Sequence, residues 1–437
     1  MTHSKPTLYE IENAFQPAKE ILDVDRFAGR TKPVQEIYLG LIAEGANIAI
    51  VGNRGIGKTS LARQVQNLGS GSNDLLKRLT LKYDHRFDYQ TIYLACGKSI
   101  TNLEDLLSRL ITSNQCLGPW LYDLPKISKM VRSLSPKLTA KLFGLGGEVG
   151  AQHAVEESRE FVSVPQSIDA IFENIVNDIV DEKLTRDGLL VVVDEFDQIQ
   201  DPSGFGLFLK ALATNAKGVK FCIVGVAKDI QELMREHESS DRLFAGTIVS
   251  LDPMSESELR EIIRIAETQI GKYVTFDEGA RERLAKLAQG HPYMVHLIGK
   301  FALRSAFDRG ARIISTEDIE ATLRSIAEDA SDPVLEGRYR KAIASSAQRE
   351  SVLKALAKTE DSKGEVWTTD AYKASMDQGV DNPSQYVGQL VTAEYGAEIE
   401  KIRERYYRFK DSLFAAYVKA RPRLRGSAPG DDEPLLL

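Results

Sequence analysis

From Ala46 the chain runs through ANIAIVG, then NRGIGKTS, then LARQVQNL without a break. A short β-branched run, a glycine turn and an apolar-periodic segment read as a strand, a loop and a helix. Gly52, Gly57, Lys58 and Thr59 fill every fixed place of the pattern G-x-x-x-x-G-K-[ST]. A strand that feeds a helix in this way has to bury its side chains in an α/β layer, which constrains the fold more than any other feature of the chain.

The chemistry of the loop follows from its residue types. Glycines let successive backbone N–H groups curl around phosphate oxygens, and the N-terminus of the following helix adds its partial positive charge. The stretch Gly52, Asn53, Arg54, Gly55, Ile56, Gly57, Lys58, Thr59 and Ser60 is therefore the expected nucleotide cradle. Lys58 is placed to reach the β- and γ-phosphates and Thr59 to ligate Mg²⁺.

Four further strand-like runs alternate with helical patterns: TIYLACG from Thr91, LLVVVDEFD from Leu189, KFCIVGVA from Lys220 and GTIVSLD from Gly246. Alternation of this kind predicts a parallel five-stranded sheet in a P-loop NTPase core. The run LLVVVDEFD is continuously apolar, as a strand covered on both faces is, and it delivers Asp194 and Glu195 to the carboxyl edge of the sheet. There Asp194 would hold Mg²⁺ through water and Glu195 would polarise the attacking water, unless the two only cap the next helix. The loop itself admits ATP or GTP. With no NKxD-like guanine signature in the chain, ATP is expected.

After Asp252 the pattern becomes wholly helical, through SESELREIIRIAETQI, DEGARERLAKLA, PYMVHLIGKFALRSAFDRG and TEDIEATLRSIAED. Residues 253–345 thus predict an all-helical lid of about four helices. Residues 346–421 follow as three helices, a β-hairpin (EIEKIRERYYRF) and a closing helix, the order of a winged helix. Residues 1–26 form an N-terminal extension, 27–252 the ATPase core and 422–437 a disordered tail rich in Pro, Gly and charge. Around 138–164 the glycine-rich alternation suits either a hairpin inserted on the core or a flexible loop.

The net charge of −7, from 56 basic and 63 acidic residues, excludes wholesale adhesion to nucleic acid. No apolar run approaches the roughly 18 to 20 residues of a membrane span. The start, MTHSKPTLYE, is polar, and Cys96, Cys116 and Cys222 have no metal-ligand or disulfide spacing, so a cytoplasmic protein is expected.

FAGR (Phe27 to Arg30), GNRGIGKTSL, DEFDQI and SSDRLFAGTIVSLDPMSESELREII together resemble the AAA+ ATPases related to replication initiators and origin-recognition subunits, with the same order in STAND-type and archaeal ATPases. The resemblance implies an ATPase of low turnover, working as a homo-oligomeric switch. It puts Arg30 near the adenine, with Gly29 allowing close approach. It makes Arg242 an arginine finger acting on a neighbouring subunit's γ-phosphate, against the alternative of a surface arginine paired with Asp241 or Glu238. The polar sensor position offers Lys228 or Asp229. The motif GHP (Gly290, His291, Pro292) resembles the GxP turn of STAND proteins, whose proline packs near the adenine. His291 is expected to be a solvated turn residue.

With no second catalytic constellation in the chain, the nucleotide is expected to drive a conformational output. The winged helix would carry it to a protein effector, in a mobile-element, defence or plasmid-type system. The other reading is a DNA-binding, loader-like ATPase. Lys401, Arg403, Arg405, Arg408 and Lys410 form a basic cluster on the hairpin, but the recognition helix NPSQYVGQLVTAE has neither Lys nor Arg.

Overall fold

The computed structural model describes residues 5–121, 167–226, 244, 247–361 and 364–423. They divide into two compact units, one of residues 30–52 and 58–251, the other of residues 1–29, 53–57 and 252–437.

The first unit is built on a five-stranded parallel sheet. Its strands are β1 (Ile48–Gly52), β2 (Tyr89–Ala95), β3 (Gly188–Asp194), β4 (Val219–Gly225) and β5 (Ile248–Leu251), in the spatial order β2-β3-β4-β1-β5. Every residue of β3 is buried, because helices lie on both faces. The helix Lys58–Gly69 buries Leu61, Ala62, Val65 and Leu68. Helices Leu103–Thr112 and Ile168–Asp181 supply Leu106, Leu110, Ile171 and Phe172 to the core that also holds Val191 and Val193. At the opposite end of the sheet a buried cation closes the strand entry. Lys220 on β4 donates from Nζ to the carbonyls of Gly40 (2.8 Å), Ala43 (2.6 Å) and Ala46 (2.9 Å), the last two of which lie between the helix Thr31–Ile42 and β1. Burial pushes the Lys220 pKa down to about 8, with Glu44 pulling it back.

The second unit is mostly helical. Helices Glu256–Gln269, Glu278–Ala288, Pro292–Asp308 and Thr316–Glu328 stand where the sequence pattern placed them, three of them capped by Ser255, Asp277 and Ser315. The expectation of an all-helical lid needs two corrections. A two-residue parallel pair, β6 (Thr275–Phe276) with β7 (Ile313–Ile314), ties the helices, and a further helix spans Pro333–Ile343. That helix escapes periodicity because its buried face includes a charge. Glu336 is 1% exposed and accepts from Arg421, Arg340 and the Tyr417 hydroxyl. Arg421, the last residue before the expected tail, is thus a buried partner of Glu336. The helix Leu8–Ala14 brings Ile11 and Ala14 into this same core, and Phe15 packs edge-on against Phe276.

The chain continues with helices Ala347–Lys358, Thr368–Met376 and Pro383–Leu390, the hairpin β9 (Ile399–Arg403) and β10 (Tyr406–Phe409), and the helix Ser412–Ala420. A short strand β8 (Val366–Trp367), which the sequence pattern did not disclose, joins the hairpin in the order β8-β10-β9. Among the described residues no helix is long and apolar enough to cross a membrane. The expected hairpin or loop at 138–164 lies outside the described residues.

Candidate nucleotide site

β1 ends at Gly52 and the helix of the glycine loop begins at Lys58, so the loop is five residues long. Gly55 (φ 70°) and Gly57 (φ 98°) both occupy the left-handed region that side-chain-bearing residues avoid. Asn53 and Arg54 are exposed, while Ile56 is buried and anchors the loop. Lys58 turns its ammonium back across the loop, where Nζ donates to the Gly52 carbonyl at 2.9 Å. Thr59 and Ser60 sit half-buried in the first turn of the helix. A glycine cradle with a cation across it and a helix N-terminus behind it fits a polyphosphate.

Asp194 is the last residue of β3 and Glu195 follows it, with β4 between β3 and β1. Asp194 is 2% exposed, and each of its carboxylate oxygens has a donor. Tyr93 Oη donates to Oδ2 at 2.6 Å, and the Glu195 backbone N–H donates to Oδ1 at 2.8 Å. Glu195 itself is exposed and left-handed (φ 53°, ψ 38°), an uncommon conformation for a residue with a Cβ. The carboxylates around the end of β3 are felt by a neighbour. Cys96, on the loop after β2, is pushed up to about 12 by burial and by the charges of Asp194, Glu195 and Asp197. A carboxylate pair at the carboxyl end of one strand and a Thr hydroxyl in the glycine-loop helix are oxygen donors of the kind a hard divalent cation such as Mg²⁺ takes.

Tyr93 and its neighbour Arg63 were not foreseen. The Arg63 guanidinium lies 3.3 Å from the centroid of the Tyr93 ring. The available signal was positional: Arg63 stands four residues after Thr59, on the same face of the helix.

Around the FAGR motif, Gly29 (φ 59°) donates its N–H to Glu261 Oε2 at 3.0 Å, and a Cβ there would meet the Glu258 side chain at 2.5 Å. The close approach that glycine permits is thus made by glutamates in this structure. Arg30 is buried and left-handed, and begins the helix Thr31–Ile42.

Pro292 is the first residue of the helix Pro292–Asp308, and its Cγ lies 3.9 Å from where a Cβ on Gly57 would be. His291 corrects an expectation. It is 2% exposed rather than solvated, because its backbone N–H donates to the Ala288 carbonyl at 2.8 Å and closes the turn between two helices. Lys228, Asp229 and Arg242 lie outside the described residues.

Residues 13–391 match the model of the novel STAND NTPase 1 family. No curated protein matches the chain. Among solved structures it is similar to Cdc6p from Pyrobaculum aerophilum (13% identity, 94% of this chain and 97% of that one, TM-score 0.45). It is also similar to the ORC2 protein of Aeropyrum pernix in its ADPNP-ADP complexes (14%, 90% and 93%, TM-score 0.45). A third is the RuvB Holliday junction branch migration motor of Thermotoga maritima (14%, 88% and 93%, TM-score 0.41).

Proposed function

The chain belongs to the novel STAND NTPase 1 family, and from that premise we propose that it is a slowly hydrolysing ATPase whose nucleotide state switches a protein contact. The observation that carries this reading is the pairing of two elements on one sheet: the Lys58-spanned glycine loop after β1, and the Asp194–Glu195 edge after β3.

In this reading the backbone N–H groups of the loop bind the phosphates, and Lys58 exchanges the Gly52 carbonyl for phosphate oxygens. Thr59 and Asp194 hold Mg²⁺, which when bound neutralises charge on the phosphates. Glu195 orients water and accepts its proton. Arg30 and Pro292 belong to the adenine side, Lys228 to the γ-phosphate side, and Arg242 reaches a neighbouring copy in a homo-oligomer.

The element order of 346–421 supports a winged helix as the output module. Its charge favours a protein partner over DNA. The helix Pro383–Leu390 lacks basic residues and follows Asp377 and Asp381. Two hairpin arginines are already engaged, Arg403 with Glu365 at 2.6 Å and Arg408 with Glu400. A DNA reader leaves such groups for phosphates.

Calorimetry with ATP and GTP, each with and without Mg²⁺, tests the first half. Light scattering after size exclusion, with a slowly hydrolysed ATP analogue and with duplex DNA, tests the second. ATP-driven assembly without DNA retention is expected. DNA-dependent assembly would favour the loader-like alternative.

A further inference from the structure

We propose that Tyr93 and Arg63 are positioning residues that lock Asp194 in place relative to the glycine-loop helix, so that Mg²⁺ binding depends on a tyrosine hydroxyl that never touches the metal. The proposal rests on the reading of Thr59 and Asp194 as the metal-holding pair.

The geometry is a continuous bridge. Thr59 and Arg63 stand one helical turn apart on one face of the helix Lys58–Gly69. Arg63 lays its guanidinium 3.3 Å from the Tyr93 ring centroid. Tyr93 pairs with Val192 across β2 and β3, so its side chain leaves the same face as Asp194, two residues further on. Its hydroxyl then reaches Asp194 Oδ2 at 2.6 Å. Helix, ring and carboxylate are therefore coupled through side chains, in addition to the backbone of the sheet.

Each contact has a physical purpose that packing alone does not explain. Phenylalanine would fill the same space, so the hydroxyl is retained for the carboxylate. Asp194 is buried, and a buried carboxylate that lacks donors rotates toward whatever donor or water it finds. With Oδ2 held by Tyr93 and Oδ1 by the Glu195 N–H at 2.8 Å, the plane of the carboxylate is fixed, with a lone pair left on each oxygen. A cation over the phenol face draws electron density from the ring and strengthens its O–H as a donor. Partners that orient ligating carboxylates in this way are worth roughly 10- to 100-fold in metal affinity.

The experiment uses the full chain and a fluorescent ATP analogue, titrated in EDTA and then with increasing Mg²⁺, with the thermal midpoint recorded in both buffers. For Tyr93→Phe, affinity in EDTA stays at the wild-type value and the EDTA midpoint falls modestly for the lost buried hydrogen bond, while the Mg²⁺ concentration for half-maximal binding enhancement rises about tenfold. Arg63→Gln moves it the same way by less, and Arg63→Lys, which keeps the charge but loses the flat stack, falls between. An unchanged Mg²⁺ requirement in Tyr93→Phe overturns the proposal. So does an equal loss of affinity in EDTA and Mg²⁺, which would mark the tyrosine as a packing residue. If the wild-type chain binds no analogue in either buffer, the nucleotide reading fails and this proposal with it.

Discussion

Tyr93 donates its hydroxyl to Asp194 at 2.6 Å, from the neighbouring strand of the same sheet. If the tyrosine acts only through that carboxylate, the two residues are not independent. Asp194→Asn should weaken the Mg²⁺ enhancement of nucleotide binding by at least about tenfold. Adding Tyr93→Phe to it should then cost nothing more. Two residues in one contact give such non-additive effects, whereas separate roles give sums. A double variant whose Mg²⁺ requirement equals the product of the two single shifts would separate Tyr93 from Asp194.

Lys58 is the second point of leverage. Its ammonium donates to the Gly52 carbonyl at 2.9 Å, an acceptor that belongs to the loop itself, so the side chain is poised within the cradle. Lys58→Ala removes a charge that would face two phosphates, each a charge-assisted contact of roughly 1.5 to 3 kcal/mol. ATP affinity should fall by at least about 100-fold in calorimetry. The thermal midpoint of the nucleotide-free chain should move little, since Lys58 is half-exposed and its hydrogen bond to Gly52 stays within the loop.

Much of this site is legible in the sequence, for reasons that differ by residue. The glycine loop is readable because φ above zero and a close backbone approach demand glycine, and because its strand and helix carry opposite periodicities. β3 is readable because burial on both faces leaves a continuous apolar run. Tyr93 is not readable, since a strand aromatic usually means packing, and its hydroxyl's partner lies 101 residues away in the chain. Helix Pro333–Ile343 is hidden by the buried Glu336, whose charge is met by Arg340 on its own helix and by Tyr417 and Arg421 from the far end of the chain. β8 is two residues long, too short for any period to register. His291 reads as a turn residue and is one, but whether a turn faces inward is set by the helices on either side of it.

Glu195 combines a functional position with an uncommon backbone, at φ 53°. Non-glycine residues held there cost of order 1 to 3 kcal/mol and tend to be retained for function. Glu195→Gln keeps the volume and the backbone, and removes only the capacity to take a proton. Nucleotide affinity should stay within about twofold, and single-turnover hydrolysis should drop by about 100-fold or more, leaving bound ATP detectable by filter retention. Wild-type turnover in this variant would make Glu195 a cap for the residues after β3.

The buried ammonium of Lys220 should set a pH dependence of its own. Its Nζ serves three carbonyls at the mouth of β1, and burial pulls its pKa from the ordinary 10.5 down to about 8, with Glu44 as the charged group that opposes the shift. Between these two values the unfolded chain holds one more proton at this site than the folded chain. Stability therefore rises with pH across that window, is fully present above 10.5, and is lost as pH falls toward about 8. Lys220→Met removes the titration and leaves three carbonyls without a donor, so two effects separate. At pH 7.5 the variant escapes the burial of a charge but loses its hydrogen bonds, and breaking a buried polar cluster from one side costs on the order of 1 to 3 kcal/mol. As pH is raised toward 10, the wild-type chain gains on the variant, so the difference in unfolding midpoint between them should widen. A difference that stays constant over that range would mean the ammonium keeps its ordinary pKa, with the three carbonyls offsetting its burial in full.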